Sequence, residues 1–82
     1  MRFIGRVFKR EKYVDRKGVP KEKLCLIDET PDGESSVAFI EIPGDSTEAK
    51  KDEFVEFKGR IASSNGTKSF VFPDVGTVKI VG

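Results

Sequence analysis

Apolar and polar residues alternate with a period of two through most of this chain, in short runs of β-branched and aromatic residues that end at Gly, Pro, Asn or Asp. A run of this kind has one apolar face and needs a partner to cover it. In 82 residues there is room for one core, so the runs must share it and residues 1–82 are expected to form a single domain. The predicted fold class is all-β. The expected strands are residues 2–14, 19–28, 36–42, 53–64 and 67–81, the last interrupted near Pro73-Asp74. Between the third and fourth, Glu48 follows Asp45 by three residues as in a capping box, which predicts a short helix within residues 45–52.

Two turns fix trial registers. Asn65-Gly66 between alternating runs predicts a tight hairpin, because a type I′ turn needs positive φ at both central positions. Placing Ser64 opposite Thr67 pairs Ile61 with Phe70 and Gly59 with Phe72. Phe57, Ile61, Phe70 and Phe72 then point inward, while Lys58, Arg60 and Ala62 point outward. Taking Asp15-Arg16-Lys17-Gly18 as the first turn sets Val14 opposite Val19, Val7 opposite Leu26 and Phe8 opposite Cys25. A bulge would move this register by one residue and exchange the faces. In the third strand either Val37 and Phe39 face inward, or Ala38, Ile40 and Ile42 do.

Charge is uneven along the chain although the total is only +1. Residues 1–27 carry nine bases and three acids, residues 28–56 two bases and ten acids, and residues 57–82 four bases and one acid. Folding should make the molecule dipolar, with faces suited to different partners. With no His and a single Cys, Cys25, the chain lacks Ser-His-Asp and Cys-His catalysis, His-bound metals and any internal disulfide. No apolar run approaches the roughly 18–20 residues of a membrane span, and the start Met1-Arg2-Phe3-Ile4-Gly5-Arg6 lacks the apolar stretch of a signal peptide. The expected location is cytoplasmic.

Phe3-Ile4-Gly5-Arg6-Val7, Leu24-Cys25-Leu26-Ile27-Asp28 followed by Pro31-Asp32-Gly33, and Val55-Glu56-Phe57-Lys58-Gly59-Arg60-Ile61 ahead of Asn65-Gly66 are similar to three recurrent strand patterns. They resemble those of the oligonucleotide/oligosaccharide-binding (OB) fold, over nearly the whole chain. The resemblance implies a five-stranded barrel with a short helix between strands 3 and 4. It also implies that single-stranded nucleic acid crosses strands 2 and 3, between the loops joining strands 1–2 and 4–5. The first of those loops lies in the basic stretch Lys9 to Lys23, and the second is Ser63 to Lys68. Strand 3 and the segment after it are acidic, which departs from that pattern. No disordered acidic tail follows Gly82 in this sequence, so the expectation is an accessory replication or mobile-element factor in preference to a strand-coating hub.

A single strand needs cations along its phosphates and flat side chains on which bases stack. The expected contacts are Arg6, Phe8, Lys9, Arg10, Lys12, Tyr13, Arg16, Lys17, Lys21, Lys23, Lys58, Arg60 and Lys68. Phe8 is read either as a stacking ring or as part of the barrel interior or a dimer seam. Tyr13, at the tip of a basic hairpin, is read as a contact, and Phe39 as packed. The Asp45 or Asp52 with Glu56-Phe57-Lys58 set imitates a metal-dependent nuclease, but arises readily at 35% charged residues. Asp28, Thr30, Asp32 and Gly33 match the start of a calcium loop, yet its twelfth position is Phe39 instead of a bidentate Glu. Asn65-Gly66-Thr67 is a glycosylation sequon that matters only in a secreted protein. The expectation is therefore a protein that is not an enzyme and uses neither cofactor nor metal. It binds single-stranded DNA, with RNA as the alternative. The rival is an assembly module in which Phe8, Cys25 and Ile27 form an exposed apolar patch that makes a homodimer.

Overall fold

The computed structural model describes residues 1–81. Its strands are β1 (Arg2–Val14), β2 (Pro20–Glu29), β3 (Ser35–Pro43), β4 (Phe54–Asn65), β5 (Lys68–Pro73) and β6 (Lys79–Val81). The order β1-β2-β3-β5-β4 closes on itself through a β1–β4 pairing, giving a five-stranded β-barrel to which β6 adds along one end of β4. All ladders are antiparallel except β3–β5. This closed barrel is compatible with an OB-like fold. Among the described residues no helix is long and apolar enough to cross a membrane.

Closure depends on β1 serving two neighbours. Its first part, Arg2 to Arg6, pairs with Lys58 to Phe54, and from Arg6 onward it pairs with β2. Gly5 sits at the handover, where an added Cβ would stand 2.8 Å from the Ile27 carbonyl oxygen, so only a residue without a side chain permits this approach. Phe8 is the extra residue of a bulge between Val7 and Lys9, and bends the strand there. Val7, Leu24, Leu26, Ile40, Ile42, Ala49, Val55, Phe57 and Val71 fill the interior, with Phe3 stacked on Phe57 at 5.3 Å between centroids.

The expected strands are present, but details differ. In the first hairpin the inner pair Val7–Leu26 is as expected, whereas beyond the Phe8 bulge Lys9 faces Cys25 and Val14 faces Pro20. The turn is one residue longer than expected because the Asp15 carboxylate accepts from the amides of Lys17 and Val19, both at 2.9 Å. In the second hairpin Asn65 pairs with Lys68, leaving Gly66 and Thr67 central, and only Gly66 has positive φ (63°). With a further bulge between Ile61 and Ser63, Ile61 faces Val71. The inward residue of β5 is therefore Val71, fully buried, and Phe72 is 53% exposed. The inward expectation for Phe70 and Phe72 is reversed, and Ile61 is 44% exposed. Strand β3 resolves in favour of Ile40 and Ile42, with Val37 exposed.

The expected helix is only a 3-10 turn, Gly44–Ser46, with no side-chain cap. The reason lies in what satisfies its backbone. The Arg10 guanidinium donates to the carbonyls of Gly44, Thr47 and Ala49, and Thr47 Oγ1 accepts from the Ala49 amide. Ala49 alone in this segment is a buried apolar residue, so no apolar stripe exists to hold a helix against the barrel.

Candidate functional site

Paired residues on neighbouring strands share a face, so the registers place side chains in rows across the outside of β1, β2, β3 and β5. One row runs Lys9–Cys25–Glu41–Phe70, a second runs Ile27–Phe39–Lys68, and a third contains Glu11, Lys23 and Pro43. Tyr13 and Lys21 continue the surface toward the finger formed by the first hairpin. Phe72, two residues beyond Phe70 on β5, completes it at the opposite corner.

Aromatic rings occupy both ends of this face. Phe8, turned by its bulge, meets Phe39 edge-on at 5.9 Å between centroids, and Phe70 meets Phe72 edge-on at 5.3 Å. Beside the first pair lies a hollow of 250 Å³ bounded by Lys9, Glu11, Cys25, Glu41 and Lys68. Beside the second lies a larger cleft of 690 Å³, walled by Tyr13, Lys21 and Glu22 of the finger, by Pro43, Gly44 and Asp45, and by Phe70 and Phe72. The cleft separates the first hairpin from β5, and the 3-10 turn forms part of its wall.

Between the two aromatic ends sits a polar knot. Glu41 is 6% exposed, and its Oε2 accepts from Lys23 Nζ at 2.9 Å with Lys68 Nζ at 3.8 Å. Lys23 also lies over the Tyr13 ring, 5.5 Å from its centroid. The hydrogen bond to Glu41 holds the Lys23 ammonium above its ordinary pKa, against the opposing effect of burial. Cys25 is pushed up to about 11, first by desolvation and then by the carboxylates of Glu41 and Glu11, whose oxygens lie 3.6 and 3.9 Å from its sulfur. Glu11, Cys25 and Glu41 bring three ligand atoms within 4.8 Å of one another. The Glu41 carboxylate in this group is already engaged by the Lys23 ammonium, which supplies its counter-charge. The cluster is read as an ion-paired support for the face.

Of the residues expected from sequence, Phe8, Lys9, Tyr13, Lys21, Lys23 and Lys68 come together here. Arg60 faces Phe72 across β4–β5 and borders the same surface. Lys12 lies on the other side of the finger opposite Glu22, and Arg16 and Lys17 are exposed at its turn. Among the described residues these three have no ion pair, unlike Lys9 with Glu11 and Lys21 with Asp15. The remaining three lie elsewhere. Arg6 bridges Glu29 and Asp52, Arg10 secures the 3-10 turn and pairs with Glu22, and Lys58 lies on β4 against Thr77. The exposed Phe8-Cys25-Ile27 patch does not form as expected, since Cys25 is only 2% exposed.

Sequence reasoning missed Phe39, Phe70, Phe72 and Glu41. For Glu41 there was a signal: a lone acid bracketed by Ile40 and Ile42 in an apolar run, on the strand expected to lie under the ligand. No family model matches this chain, and neither curated proteins nor solved structures give a match.

Proposed function

We propose that this chain is a non-catalytic OB-type domain that binds single-stranded nucleic acid across the outer face of β1, β2, β3 and β5, with DNA as the first ligand and RNA as the alternative. The observation that carries this reading is the joint presence on one face of Tyr13, Phe39, Phe70 and Phe72 with Lys9, Lys21, Lys23 and Lys68. Rings supply stacking at roughly 1–3 kcal/mol per base, and ammonium groups supply phosphate contacts. Lys9, Lys21, Lys23 and Lys68 each lie beside a carboxylate, so among the described residues the unpaired charge of the finger is that of Lys12, Arg16 and Lys17, which favours approach of a polyanion. A cytoplasmic location belongs to this reading.

Fluorescence anisotropy with labelled single strands of DNA and RNA and with duplex DNA, at two salt concentrations, tests it. The expected result is tighter binding of a single strand than of duplex, weakening steeply with salt. Equal affinity for duplex and single strand, or no binding at low salt, refutes it. One observation favours homodimer assembly as a second reading: two exposed apolar residues, Val37 at 79% and Phe39 at 37%, lie two positions apart on β3. Light scattering that finds a dimer indifferent to oligonucleotide would support that reading instead.

A further inference from the structure

The centre of the proposed binding face holds an anion already. Glu41 lies between the two aromatic pairs, directly opposite Phe70 on β5 and two residues from Phe39 on β3, in the row Lys9–Cys25–Glu41–Phe70. Its carboxylate is contacted by Lys23 on β2 and Lys68 on β5, which approach from its two sides. A bound strand whose bases stacked on both aromatic ends would have to lay its backbone over this point. We infer that Glu41 acts as an internal substitute for a phosphate: it keeps Lys23 and Lys68 aligned on an empty face and competes with the nucleic acid for them.

Three features support this. Glu41 faces outward on a strand whose inward positions, Ile40 and Ile42, are in the core, so nothing in barrel packing requires an acid there. Lys23 has a side chain only 20% exposed, tethered by Glu41 and covered by Tyr13, so its charge is pre-positioned but already engaged. Lys68 is 56% exposed and only 3.8 Å from the same oxygen, which leaves it free to swing to an incoming phosphate. Competition of this kind lowers affinity and spares the site from binding any small anion. It thereby favours a ligand that also supplies stacking.

The inference rests on the proposed function, and the test separates the two. Glu41→Gln keeps an acceptor for Lys23 but removes the competing charge. With labelled oligo(dT), the variant should bind at least about fivefold tighter than the parent chain, the size of one screened charge interaction at about 4 Å. Its plot of log affinity against log salt should steepen by about 0.7, as for one more neutralised phosphate on a single strand. Glu56→Gln, which releases Arg2 from an ion pair on β4 outside the face, is the control and should change neither. If parent and variant both fail to bind at low salt, the functional reading falls and this inference with it. If the parent binds and Glu41→Gln is equal or weaker, or if Glu56→Gln tightens binding as much, Glu41 only positions the lysines or repels generally, and the inference alone is overturned. Should Glu41→Gln fail to fold, the Glu41 side-chain carboxyl carbon can be followed by NMR in the parent chain. Its resonance should move on addition of oligo(dT), and an unmoved resonance at saturation refutes displacement.

Discussion

Replacing Phe72 by Ala separates stacking from charge at the proposed face. Phe72 is 53% exposed and its ring meets only Phe70 edge-on, at 5.3 Å, among the aromatic residues. Full burial of such a side chain is worth about 1.5–3 kcal/mol, so a half-exposed ring should cost about 1 kcal/mol of stability when truncated. Loss of the aromatic pair adds about 0.5–1.5 kcal/mol. Together these should lower Tm by about 6–20 °C while leaving the domain folded at 25 °C. If a base stacks there, the loss of roughly 1–3 kcal/mol lowers affinity for a single strand by about 5- to 140-fold. Because no charge is removed, the slope of log affinity against log salt should be unchanged while the whole line drops. The assay is anisotropy with oligo(dT) over a salt series, alongside a thermal melt. Val75→Ala, at a fully exposed position outside the face, should affect neither. Unaltered affinity in a folded Phe72→Ala protein would refute the placement of the ligand over β5.

Reversing two finger charges, Lys12→Glu with Lys17→Glu, should weaken binding and flatten the salt slope by about 0.7 for each phosphate that is no longer neutralised, with Tm nearly unchanged because both are exposed. Arg10→Ala should do the opposite. Without its bonds to the carbonyls of Gly44, Thr47 and Ala49, the chain should be less stable by about 2 kcal/mol in chemical denaturation, and the salt slope should hold. Gly59→Ala should destabilise by about 2 kcal/mol or more in the same assay, since a Cβ there would stand 2.6 Å from the Phe72 carbonyl oxygen. The Cys25 thiol, held at about 11 against an ordinary 9.0, binds its proton more tightly in the folded chain. Its contribution to stability is therefore complete below pH 9 and declines as pH rises toward 11. Urea midpoints should fall further between about pH 8 and about pH 10.5 for the parent chain than for Cys25→Ala.

Strand positions are legible in the sequence because a period of two and turn residues are local signals, and the all-β class follows from them, whereas the closed barrel is implied by the resemblance of three strand patterns to the OB fold. Which way Phe70 and Phe72 point is not, since both parities of Lys68-Ser69-Phe70-Val71-Phe72 put an apolar residue inward. Two bulges, at Phe8 and between Ile61 and Ser63, decide the faces, and a bulge leaves no mark in alternation until both partner strands are known. The basic finger is legible as a cluster, yet Arg6 and Arg10 are held by acids and carbonyls distant in sequence, such as Asp52 and Thr47. Those interactions exist only after the barrel closes. The aromatic half of the candidate site is thus hidden by register, and the cationic half is overcounted for want of tertiary partners.

The parallel joint between β3 and β5 consists of only three residue pairs, Phe39–Lys68, Ile40–Ser69 and Glu41–Phe70, and every one of them belongs to the candidate face or lies directly beneath it. It is the shortest seam in the ring apart from the appended β6, so the barrel should breathe there first. A molecule laid across Phe39, Glu41, Lys68 and Phe70 would bridge both lips of that seam. Occupancy would then be reported by slowed amide exchange at Phe39, whose N–H is bonded to the Thr67 carbonyl at 2.7 Å, well before any change in overall shape.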